Sequence, residues 1–321
     1  MRPDVARAIP ELVERGLLSP EQAEPLLSEA RGELVSVARG LSWLLYLGVA
    51  LLAGGVGLLV KQNLDRIGPV TIAVAIALAA ALPLAWVFRR APAFSWGVVE
   101  SPHFAFEYLL LLGVLLAAAD LAYVEVKFAA LGESWPWHLL IVALCSGLAA
   151  FRFDSRVVFS LALSSFAAWR GVSVANLGAD VVTSSAASVR WNALGCGVLF
   201  VLLGHLLRRL DRKAHFEPAA LYLGWLLALA AMASGMFELG GAGLLWSFVL
   251  LLVGVGLAIW AFRGRRFPLF AFGVVAAYAA LSRLAMEAIG IEVLGCLWFA
   301  STSLALIFGL VFAQRRMKEA A

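Results

Sequence analysis

Apolar residues in this chain come in long blocks, with polar positions gathered at the joints between them. Ten blocks, near 41–60, 69–88, 104–123, 136–151, 157–174, 191–207, 219–237, 242–262, 268–286 and 293–313, have the length and oiliness of membrane-crossing helices. About 20 mostly apolar helical residues span the hydrocarbon of a bilayer. The fourth and sixth are short and borrow flanking residues. Past residue 40 the connections are brief, the longest being 89–103 and 175–190, which suit a lid or an interfacial segment rather than a folded domain. The pattern predicts an all-α polytopic membrane protein: a transmembrane domain over 41–321 of about ten helices, preceded by a cytoplasmic amphipathic helical hairpin over 1–40.

The first 40 residues follow a different rule. Val5, Ile9, Leu12 and Val13 repeat at helical spacing, and Gly16 is placed to stop that helix. Ser19-Pro20-Glu21-Gln22 then reads as a second start, with Ser at the N-cap, Pro in the first turn and Gln closing a capping box. Leu26, Leu27, Ala30 and Leu34 carry the apolar stripe onward. Acidic residues outnumber the arginines here, and a helix that reads DNA needs the opposite balance to neutralise phosphates, so no nucleic-acid partner is expected. The hairpin is expected to dock a cytoplasmic protein partner or to drive self-association.

Composition agrees with the block pattern. Of 321 residues, 63% are hydrophobic and 14% charged, and the mean hydropathy is +0.92. A soluble domain carries roughly 45–50% apolar and about 25% charged residues, so a soluble enzyme, a disordered chain and a disulfide-stapled module are all excluded. Cys145, Cys196 and Cys296 lie within apolar stretches and read as small space-filling residues. The charged N-terminal 40 residues lack the early apolar core of a secretory signal.

Basic residues set the orientation. With the N-terminus placed in the cytoplasm, 19 of the 25 Lys and Arg fall on the inner side, while Lys61, Arg66, Lys127 and Arg190 fall outside and Arg170 and Arg283 lie within helices. Every inner connection is then basic, and the partner of the whole assembly is the lipid bilayer, with both termini cytoplasmic.

The run Leu12-Val13-Glu14-Arg15-Gly16-Leu17-Leu18-Ser19-Pro20-Glu21-Gln22, then Leu47-Gly48-Val49, then Asn63-Leu64-Asp65-Arg66-Ile67-Gly68-Pro69, resembles a bacterial predicted-membrane-protein family, the domain-of-unknown-function family numbered twenty-one fifty-seven. The resemblance covers roughly residues 1–90. It implies a bacterial inner-membrane protein with a small cytoplasmic hairpin and a glycine-rich first span ending at an Asn near the membrane surface, and it brings no known activity. The family usually has Trp after that Asn, where this chain has Leu64. Asn63 and Asp65 are the outer-loop residues of this motif, as helix caps or as the family's functional loop.

Charges inside spans carry the candidate chemistry, because each costs about 2.5–3.5 kcal/mol near the bilayer centre. Asp120, Arg170 and Arg283 fall at similar depth, roughly 20–24 Å from the inner face at about 1.5 Å per residue. Glu287 shares a helix face with Arg283. These four could form a polar cavity for a charged solute or proton; the alternative is that the arginines snorkel to headgroups or that the pairs merely hold helices together. His103 and Glu107 at the start of the third span, with His205 late in the sixth, form a second set suited to proton relay or to plain helix contacts.

Glycine and alanine pairs four apart, Ala53 with Gly57, Gly224 with Ala228 and Gly254 with Ala258, predict close helix contacts. The first and sixth spans share a faint repeat, from Leu47-Gly48 to Leu64-Asp65-Arg66 and from Leu194-Gly195 to Leu210-Asp211-Arg212, of the kind inverted-repeat transporters carry. No zinc-protease motif, phosphate-binding loop or catalytic triad is present. No enzyme activity, cofactor or metal is expected. The leading expectation is a non-enzymatic scaffold, sensor or interaction protein, with a secondary transporter of a small solute as the alternative.

Overall fold

The computed structural model describes residues 10, 12–16, 19, 23, 44–52, 54–55, 58, 68–99, 105–129, 136–171, 184–238, 240–289, 302–303 and 306–314. By contacts the chain divides into two compact units, Met1–Leu59 and Val60–Ala320. In the first, Gly16 takes a left-handed φ of 70° and its N–H bonds to the Val13 carbonyl, while the Ser19 carbonyl accepts from Ala23 N–H. Gly16 therefore closes a helical turn, and Ser19 opens the next. Most of the hairpin expected over 1–40 lies outside the described residues. Residues 44–52 are helical.

The second unit is built from helices α1 (Pro69–Arg90), α2 (Phe106–Phe128), α3 (Trp137–Phe153), α4 (Arg156–Trp169), α5 (Ser184–Arg209), α6 (Glu217–Gly235), α7 (Gly241–Arg263) and α8 (Phe267–Ile289), with a 3₁₀ turn at Ala214–Phe216. No strand occurs among the described residues. Consecutive helices pack in pairs, α1 on α2, α3 on α4, α5 on α6 and α7 on α8. Helix α6 also touches α4, α7 and α8, and half of it is buried. Its Leu221 joins Leu250, Leu257, Leu269 and Ala280 in the core. Residues 306–314 are helical, and Thr302 and Ser303 bond to the Tyr278 hydroxyl on α8 at 2.8 and 2.9 Å.

Six helices among the described residues are long and apolar enough to cross a membrane: 69–90, 106–128, 187–209, 214–235, 241–263 and 267–288. Their surfaces are apolar too, with Leu82, Val126 and Leu252 more than 70% exposed. Two expectations change. The fifth stretch ends early, because α4 stops at Trp169 after 14 residues, about 21 Å at the helical rise and short of a bilayer core of about 30 Å. The sixth, expected to be short, is the 26-residue α5: it begins among small polar residues, Ser184 to Ser188, that a hydropathy reading discards but a helix accommodates.

Small residues set the helix crossings as expected at two places. A Cβ on Gly224 would stand 2.8 Å from the Gly197 carbonyl oxygen, and one on Gly254 would stand 2.8 Å from that of Gly273. Only a residue without Cβ lets these backbones approach so closely. In the first span, Ala53 and Gly57 lie outside the described residues.

Candidate functional site

The four turns that close the helix pairs meet at one end of the bundle, and buried charge gathers there. Between α3 and α4 the turn has two residues. Asp154 adopts the left-handed conformation, φ 61°, and its N–H bonds to the Ala150 carbonyl. Ser155 follows in extended geometry, its Oγ accepting from Val158 N–H to cap α4. A short polar side chain tolerates the first of these conformations better than most. This geometry fixes the Asp154 carboxylate at the end of the bundle with only 4% of its side chain exposed.

The carboxylate is answered from two other turns. Lys213, 1% exposed, places its ammonium 2.7 Å from Asp154 Oδ1, and the other oxygen accepts from Val99 N–H at 2.6 Å. His215 Nε2 also stands 2.7 Å from Oδ1, without the alignment of a hydrogen bond. Lys213 continues into the segment 91–99: its backbone N–H bonds to the Trp96 carbonyl at 2.7 Å and its ammonium donates to the Gly97 carbonyl at 3.3 Å. Arg152 donates to the Pro92 carbonyl at 3.0 Å, Arg212 lies over the Trp96 ring and Lys213 over Phe94. Residues 91–99 thus form a strap with no regular structure of their own, fastened across the turns by side chains from α3 and from the α5–α6 connection.

An aromatic floor lies beneath these charges. Phe216 stacks on Phe159 at 4.7 Å and meets Phe151 edge-on, while Phe153 contacts Phe88 and Phe106. Such surroundings weaken solvent screening, so the Asp154–Lys213 attraction is strong and each charge alone is costly. Beside it Glu217, in the first turn of α6, accepts from Arg208 at 3.1 Å and from Arg266 at 3.0 Å, which joins the α7–α8 turn to the same end. A carboxylate in a helix's first turn is also favoured by the helix dipole.

The opposite end is arranged otherwise. Arg190 on α5, 4% exposed, pairs with Glu238 after α6, donates to Ser234 Oγ at 3.2 Å and lies over the Trp246 ring. Arg170 donates to Asn192 Oδ1 at 2.8 Å, and Asn192 donates back to the Arg170 carbonyl at 3.0 Å. Arg283 pairs with Glu287 along one helix face.

The residues singled out from the sequence are therefore spread over several places. Among the described residues, no ion pair joins Asp120 to Arg170 or Arg283: Arg170 meets Asn192, and Arg283 meets Glu287. Asp120, half-buried on α2, keeps Oδ1 buried with no hydrogen-bond partner among the described residues, as Tyr123 does with its hydroxyl one turn on. Glu107 sits in the first turn of α2. His205 bonds through Nδ1 to the Val201 carbonyl of its own helix at 2.8 Å, and its ring faces a small cavity with Trp225, Leu257 and Trp260. His103, Asn63 and Asp65 lie outside the described residues.

Asp154, His215, Glu217 and Glu238 were missed by the sequence reading, and Lys213 and Arg190 counted only as topology charges. One signal was present: Asp154, Glu217 and Glu238 are acids at helix ends within three residues of an apolar block. Among the described residues no group of three or more His, Cys, Asp or Glu side chains is placed to hold a metal ion.

No curated protein and no solved structure matches the chain. Residues 10–159 match the family described as "Predicted membrane protein (DUF2157)", the family that the N-terminal run resembles, and with the six long apolar helices that match makes the chain a membrane protein.

Proposed function

We propose that the chain is a multi-pass protein of the bacterial inner membrane, crossing about ten times with both termini in the cytoplasm, and that it serves without catalysis as a scaffold or sensor. In this reading the basic end faces the cytoplasm as a rigid platform, and residues 1–40 dock a protein partner or a second copy. One observation carries the preference over transport: among the described residues Arg170 meets Asn192 and Arg283 meets Glu287, apart from each other and from Asp120, where a transporter needs polar groups converging on one water-accessible cavity. The positive-inside distribution of Lys and Arg supports the orientation.

Deleting residues 1–38 tests the role of the hairpin. The truncated protein is expected to insert normally and to change its oligomeric state or lose capture of its partner. Full-length and truncated forms with identical size and identical pull-downs overturn the reading. The secondary-transporter alternative draws support from Asp120, whose carboxyl oxygen is buried without a partner among the described residues. Loss of proton-coupled solute uptake into proteoliposomes on Asp120→Asn decides for it.

A further inference from the structure

A crevice of about 510 Å³ opens between α1, α2 and α3. Its walls, Leu84, Val114, Leu121, Ile141 and Leu148 among them, are apolar apart from Cys145, Ser146 and Arg152. Phe88, Ile141 and Leu148 are all exposed, so the crevice opens sideways, toward what is lipid in a membrane. We propose that it seats an acyl chain of an anionic glycerophospholipid, with the phosphate held at the mouth by Arg89 and Arg152.

Length, charge and position support this occupant together. Ile141 and Arg152 stand eleven residues apart on α3, about 16 Å at the helical rise, which is one leaflet of a hydrocarbon core of about 30 Å. The crevice therefore has the depth of a single tail entering from the basic end. At that end the Phe88 and Phe153 rings touch, which sets the last turn of α1, with Arg89 and Arg90, beside Arg152. Of the acids at this end among the described residues, Asp154 is neutralised by Lys213, and Glu107 stands against Arg89, Arg90 and Arg152. Basic pockets between helices at a membrane surface favour anionic headgroups, and guanidinium groups match phosphate oxygens. Arg152 also donates to the Pro92 carbonyl, so a bound headgroup would touch the group that fastens the strap.

The test is native mass spectrometry of the full-length protein in detergent, titrated separately with phosphatidylglycerol and phosphatidylethanolamine. The wild type is expected to retain one phosphatidylglycerol with roughly tenfold preference. Arg89→Gln and Arg152→Gln should reduce the preference to about twofold or less while the tail still binds. Ala149→Phe, which fills the crevice from α3 and leaves the basic mouth intact, should abolish retention of both lipids. Equal retention of the two lipids by the wild type overturns the proposal, as does unchanged retention in Ala149→Phe. A wild-type dimer that carries no lipid also overturns it, since a second copy then covers the crevice. Should Arg152→Gln misfold by freeing the strap, Arg89→Gln alone still decides.

Discussion

The two ends of the bundle handle charge in different ways. At the basic end, turns as short as Asp154–Ser155 bring several helix pairs within reach of one another, and Asp154 and Lys213 are almost fully buried against a phenylalanine floor. At the other end Arg190 is buried but its partner Glu238 is partly exposed, and Arg283–Glu287 is a pair within one helix with both members partly exposed. At the basic end, where the connections are tight, both members of an ion pair are dehydrated together. A side chain from one turn satisfies the backbone of another only where the turns are held together.

The largest expected effect breaks the basic end. Asp154→Ala leaves the Lys213 ammonium and the Val99 N–H buried without their partner, which costs about 3–5 kcal/mol. Unfolding in detergent micelles should show this loss, and limited proteolysis should cut within 91–99 well before the helices. The Asp154→Ala/Lys213→Met double variant removes both charges and should recover a large part of the stability, because a buried pair replaced by apolar groups is often neutral. A single variant within about 1 kcal/mol of wild type, or a double variant worse than both singles combined, contradicts the role given to this pair.

A smaller effect is expected at the opposite end. Glu238→Gln keeps a hydrogen-bond acceptor near Arg190 but removes the charge. Glu238 is 30% exposed, so water replaces part of what is lost, and Ser234 and Trp246 still engage the guanidinium. The expected loss is about 1–2 kcal/mol, between a buried and a surface pair. A loss equal to that of Asp154→Ala would erase the contrast between the two ends.

Much of the fold was legible in the sequence because lipid leaves a simple trace. Helices α1, α2, α7 and α8 sit within a few residues of their hydropathy blocks, and Gly224 and Gly254 stand at close crossings. The site was much less legible. Asp154 and Lys213 are 59 residues apart, and nothing in a one-dimensional pattern says that two turns will meet. Hydropathy counts Lys213 as a topology charge at a joint, whereas the fold buries it. The charges inside apolar blocks were found easily, and Glu287 was placed on the face of Arg283, but the partner of Arg170 was not found: Asn192, which answers it, is neutral and so invisible to a search for ion pairs.

The smallest effect tests whether a charge inside an apolar block matters simply because it is there. Arg283 and Glu287 lie four apart on α8, with 32% and 50% of their side chains exposed, and the pair needs no other helix to form. Partly exposed pairs of this spacing contribute about 0.3–0.5 kcal/mol. Arg283→Ala should therefore shift the unfolding midpoint in micelles only marginally, and Glu287→Gln should do no more. The two changes together should equal the sum of each alone once the small pair energy is subtracted. A loss from Arg283→Ala approaching that from Asp154→Ala would mean that Arg283 is dehydrated in the assembled protein, and its end of the bundle would then have to be treated as a second buried centre.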